Sequence, residues 1–122
     1  ISGGANSDMF FGGAGASTAL TTVAGGLRTL QLNRANGISL ADNLSLRRLL
    51  FLQSGLLTLD ANNLTIEKNG TIFNPFPTVS YVNTNGSGVL RKSFENTTPT
   101  AFNFTVGSGN YSPVRLYFGN WT

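Results

Sequence analysis

Five carboxylates, Asp8, Asp42, Asp60, Glu67 and Glu95, carry the acid chemistry available to this chain, because histidine and cysteine are both absent. Without histidine there is no side chain whose ordinary pKa lies near neutrality. Without cysteine there is no thiolate nucleophile, no soft-metal cluster and no disulfide framework. A glycosidase or lyase would therefore need two or three of these carboxylates on one face, as acid and nucleophile or as calcium ligands. Asp42 and Asp60, 18 residues apart, are the best pair, yet each stands near Asn in a turn-forming stretch where Asp usually bonds local backbone. Residues 12–17, GGAGAS, resemble a phosphate-cradling loop but lack the following Lys-Ser/Thr and any strand-to-helix context. No catalytic residue, metal ligand or cofactor is assigned, and the chain reads as a non-enzyme.

Any site must be held by a small core, since 122 residues make one comfortable unit. Charged residues are only 11% of the chain, so Gly, Asn, Ser and Thr supply the polarity and the surface reads as extracellular. The eight basic residues are scattered, with only Arg47-Arg48 and Arg91-Lys92 adjacent, and this linear distribution offers no stripe for nucleic acid. No apolar run is long enough to span a membrane. Eight Asn-x-Ser/Thr sequons, at Asn43, Asn63, Asn69, Asn85, Asn96, Asn103, Asn110 and Asn120, mark polar corners and are explained by composition as readily as by glycosylation. The start at Ile1 and the end at Trp121-Thr122 suggest a processed chain or a fragment.

The positioning elements announce themselves from Leu27 onward. Leu30-Gln31-Leu32, Ile38-Ser39-Leu40, Leu44-Ser45-Leu46, Leu50-Phe51-Leu52, Leu57-Thr58-Leu59 and Leu64-Thr65-Ile66 are alternating triplets with starts 6 to 8 residues apart. Period two means strand, with both aliphatics on one face. Taken three at a time they return after about 20 residues: Leu30 to Leu50, Ile38 to Leu57 and Leu44 to Leu64. That interval predicts a parallel β-helix, an all-β solenoid whose turns each carry three short strands. Asn43 and Asn63, 20 apart, and Gly37 and Gly55 supply its corners, with an Asn ladder as a further bond between turns. An amphipathic helix through Leu44, Leu46, Leu49, Leu50 and Leu52 is the competing reading, which the strict Leu-x-Leu figure and the Gly/Asn punctuation disfavour.

The chain thus divides into a Gly/Ala/Ser-rich lead-in over 1–26, regular rungs over 27–73, and irregular rungs or a cap over 74–122. The lead-in is either flexible or a set of irregular early strands around residues 9–11 and 19–23. Asn74-Pro75-Phe76-Pro77 marks a corner or a change of packing. Strands return at 79–82, 89–92, 102–106 and 114–118, where aromatics replace leucine.

Two groups of residues are left over by this scheme. If Leu50 and Leu52 face inward, Leu49 and Phe51 face outward beside Arg47 and Arg48, making an apolar spot with a basic rim, open to contact or covered by residues 1–26. Tyr111, Tyr117, Phe118 and Trp121 form either a sugar-stacking or subunit-contact cluster or, more simply, the core of a cap.

The stretches LRTLQLNRANGISLADNLSLRRLLFLQSGLLTLDANNLTIEKNGTI, SYVNTNGSGVLRKSF and FTVGSGNYSPVRLYF, in that order, resemble the β-strand-repeat surface proteins of Bacteroidota, which are often exported by the type IX route. The likeness covers roughly residues 10–118 and departs at Thr105, where that family usually has Pro. The resemblance implies a surface or adhesin-like solenoid segment of a longer protein, with no catalytic residues. The expected function is an extracellular stalk, fibre subunit or adhesin that associates through strand edges with other copies or neighbouring segments of the same protein, and with surface glycans. The alternatives are a carbohydrate-binding or polysaccharide-cleaving β-helix and a trimeric phage-like fibre.

Overall fold

The computed structural model describes residues 6–21, 26–94 and 100–118. These residues form thirteen strands and no helix. In chain order the strands are β1 (Asp8–Gly12), β2 (Thr18–Leu20), β3 (Gly26–Asn33), β4 (Ile38–Leu40), β5 (Leu44–Ser54), β6 (Leu57–Thr58) and β7 (Leu64–Ile66). There follow β8 (Thr71–Phe73), β9 (Val82–Asn83), β10 (Leu90–Lys92), β11 (Thr100–Phe104), β12 (Val106–Gly107) and β13 (Val114–Phe118).

Every strand from β1 to β10, and β12 with them, pairs in parallel with the equivalent strand one turn away. Two sheets result, one ordered β1-β3-β5-β7-β10 with β8 also on β5, the other β12-β9-β6-β4-β2. This is a β-solenoid of about four turns. The register matches the leucine intervals: Leu30 faces Leu50, Ile38 faces Leu57, and Leu44 faces Leu64. Repetition of Leu-x-Leu therefore stacks like on like, and Leu30, Leu32, Leu46, Leu50, Leu52, Leu57 and Leu64 are wholly buried between the sheets. Each such burial contributes roughly 1.5–3 kcal/mol against leaving the side chain in water.

The three expected strands per turn are modified in the third turn. The triplets Leu44-Ser45-Leu46 and Leu50-Phe51-Leu52 belong to one eleven-residue strand, β5, not to two strands separated by a corner. Its register on β3 slips between Leu27 and Thr29, because Leu27 faces Leu46 while Thr29 faces Leu49. Arg47 and Arg48 thus oppose the single residue Arg28, and the extra residue is taken up as a bulge. One turn later the same place opens fully: Ile66 pairs with Leu46 and Thr71 with Leu49, so residues 67–70 loop out between β7 and β8. The ammonium of Lys92 closes that loop by donating to the carbonyls of Glu67, Lys68 and Gly70 at 2.8, 3.1 and 3.0 Å.

Corners follow the same economy. Gly37 and Gly55 stack at equivalent corners with φ of 66° and 84°, in the left-handed region that favours glycine. The expected asparagine ladder forms through backbone rather than amide to amide: Asn43 Oδ1 accepts the Asn63 N–H at 2.8 Å, and Asn63 Oδ1 accepts the Val89 N–H at 3.1 Å.

Within 1–26, the described residues include β1 and β2, the first turn of the coil, lying edge-on to β3 and β4. Beyond Phe73 the turns widen, since Leu57 pairs with Val82 and Leu64 with Leu90. β11 and β13 pair antiparallel with each other, while β12 between them adds to the second sheet on β9.

Candidate functional site

The outer face of the larger sheet carries the features that the core does not require. Side chains on β5 alternate until the bulge, where Arg47 and Arg48 are both exposed in succession. A strict period of two would have sent Arg48 inward with Leu46 and Leu50, so the slip keeps a guanidinium out of the core. Around it, Arg28, Arg47, Arg48, Glu67, Lys68 and Asn69 line an open cleft of about 370 Å³.

Arg28 is oriented by Asp8, whose carboxylate accepts from Nε at 2.9 Å and from the terminal nitrogen of the same guanidinium. That hydrogen bond holds the Asp8 carboxyl down at about 2, below its ordinary 3.8. Arg47 donates to the Asn6 side chain. The basic residues that look scattered along the chain are thus gathered by the fold: four of the eight line one cleft. The signal was present in the sequence as the leucine period itself, since Arg28, Arg48 and Lys68 are 20 apart.

Beside the cleft runs an apolar column. Phe10, Gln31, Phe51 and Phe73 occupy one register position on β1, β3, β5 and β8. Phe51 lies outward as expected, but it is half-buried because Phe73 stacks on it, with ring centroids 5.0 Å apart and planes 9° from parallel. Leu49 is likewise half-buried, between Thr29 and Thr71 in the register. The exposed members of the column are Phe10 and Phe73, at 62% and 54%.

The second predicted cluster is only partly visible. Tyr111 packs on Tyr81 at 5.8 Å between centroids, while Tyr117 lies on β13 and is 71% exposed. The Phe118 side chain and Trp121 fall outside the described residues. Around the antiparallel pair of β11 and β13, Thr84, Gly86, Val89, Phe104, Val106 and Val114 border an apolar groove of about 500 Å³.

Among the acids, Asp60 adopts a left-handed backbone with φ of 54°, and its carboxylate accepts from the Asn85 amide at 2.8 Å. Its own N–H donates to Asn85 Oδ1 at 3.0 Å, which makes it a corner residue bonded to the next turn. Asp42 occupies the exposed β4–β5 corner. No group of three or more acidic side chains able to hold a metal forms among the described residues, and Glu95 lies outside them.

Comparison with protein-family models, with curated proteins and with solved structures returns no match.

Proposed function

We propose that the chain is an extracellular structural or adhesive β-solenoid segment, a stalk, fibre subunit or surface adhesin, that associates with copies or neighbouring segments of its own protein. The observation that carries this reading is the open edge of the first turn: among the described residues, β1 pairs only with β3 and β2 only with β4. Unpaired parallel edges accept further strands. Exposed apolar side chains on the first turn and on β13 add to it, namely Phe10, Val114, Leu116 and Tyr117. Because the surfaces at the two ends differ, contact between them is head to tail, and stacking along the solenoid axis extends such contacts into filaments where the rotation between copies does not close a ring. The low charge density and the resemblance to Bacteroidota surface repeats support placement outside the cell.

Light scattering behind size exclusion, followed by negative-stain microscopy, tests the reading. The expected result is mass that grows with concentration and linear particles one solenoid wide. Phe10→Glu and Tyr117→Lys should each shorten them. A monomer that persists at millimolar concentration would overturn the proposal.

A further inference from the structure

We infer that the cleft at the β5 bulge is a binding site for a linear acidic polysaccharide, with uronate or sulfate groups as the recognised chemistry. The inference names a ligand for the adhesive half of the proposed function and rests on that reading.

Charge is the first argument. Arg28, Arg47, Arg48 and Lys68 face the two carboxylates Asp8 and Glu67, so the cleft holds an excess of positive charge on a protein with few charges to distribute. Four cations brought together repel one another, and the core needs none of them there. Elsewhere in the fold Lys92 caps the carbonyls of residues 67–70 and Arg34 donates to those of Gly12 and Ala16, while in the cleft Arg28 is held by Asp8 and Arg47 donates to Asn6.

Geometry is the second. Arg28, the pair Arg47-Arg48, and Lys68 sit on successive turns, at the place where the register slips by one residue and then by a loop. Adjacent parallel strands lie about 4.8 Å apart. Arg28 and the pair Arg47-Arg48, on paired strands, therefore lie along the solenoid axis at close to the length of one pyranose unit in an extended chain, and Lys68 extends the series from the loop of the next turn. The bulge doubles the number of cations presented by the central turn, which is the re-aiming that bulges provide.

The occupant is a polysaccharide rather than a single-stranded nucleic acid because no aromatic ring lines the cleft, leaving no platform on which bases could stack. The nearest outward rings in the register, Phe51 and Phe73, present faces to each other.

Biolayer interferometry with the whole chain immobilised tests the inference, using heparin oligosaccharide, polygalacturonate, neutral dextran and a single-stranded oligonucleotide as probes. Binding of either acidic glycan, weakened by added salt, with no binding of dextran, is the expected result. The double variant Arg48→Gln/Lys68→Gln should weaken that binding about tenfold or more, since two charge-assisted contacts are lost. Circular dichroism of the variant checks the fold, and its self-association, read by light scattering, should equal that of the parent. Loss of glycan binding is thereby distinguished from loss of assembly. Silence from both acidic glycans, binding unchanged in the variant, or tighter binding of the oligonucleotide would each refute the site.

Discussion

Asp8 owes its low pKa chiefly to the Arg28 guanidinium one turn away, with lesser help from Thr29 and Arg48, so it reports on whether the first two turns are docked. A carboxylate whose folded pKa is depressed adds stability that is fully present above its ordinary value and disappears as pH falls through the folded value. For Asp8 that window runs from 3.8 down to about 2. We expect its carboxyl carbon, followed by NMR, to titrate near the lower figure in the parent and to move up toward the ordinary one in Arg28→Ala. Titration at the ordinary value in the parent would mean that the pair is not formed in solution. Asp60 is instructive in another way. Its place beside Asn in a turn stretch pointed to a turn with the carboxylate on local backbone; the φ of 54° shows the turn, but the carboxylate accepts from the Asn85 side chain instead. The partner 25 residues later was not visible, because the turn at which Asp60 stacks is wider than the leucine interval.

Corners decide how closely successive turns can approach. A Cβ on Gly55 would lie 1.9 Å from the Arg34 carbonyl oxygen and 2.8 Å from the Gly37 nitrogen, whereas one on Gly13, with a similar φ of 85°, would meet nothing within 4 Å. Gly55→Ala therefore combines backbone strain with a clash against neighbouring backbone, and Gly13→Ala carries the strain only. Chemical denaturation should place Gly13→Ala about 1 kcal/mol below the parent and Gly55→Ala at least twice as far. Equal effects would show that the corner yields more easily than its geometry implies. The strands themselves were largely legible, since alternating aliphatics leave no other element satisfied. What misled was β5. Leu46 and Leu50 looked like members of separate strands divided by a corner, and only the pairing with β3 shows that one strand absorbs the extra residue in a bulge.

For the molecule as a whole, stability comes from contact between adjacent turns, so it should follow position along the axis. Turns two and three are sandwiched, and their inward leucines are buried; among the described residues β1 is covered on one side only, with Phe11 at 7% exposure and Phe10 largely exposed. Native-state hydrogen exchange should find the slowest amides at Leu32, Leu50 and Leu52, with protection falling toward β1 and toward β10. A single exchange rate throughout would indicate all-or-none unfolding and contradict the graded picture.

The periodicity of Leu-x-Leu was enough to determine the strand character, the turn of about 20 residues and the identity of the buried face, because a repeated pattern can bury itself only by stacking on its own copies. It also held, unnoticed, the interval that aligns Arg28, Arg48 and Lys68. The tertiary structure alone decided which residues sit side by side where that period fails: the bulge at Arg47-Arg48, the loop of residues 67–70, and the stacking of Phe73 on Phe51. The physical reason is that each insertion has its effect on a neighbouring turn, through backbone register that no local stretch of sequence contains.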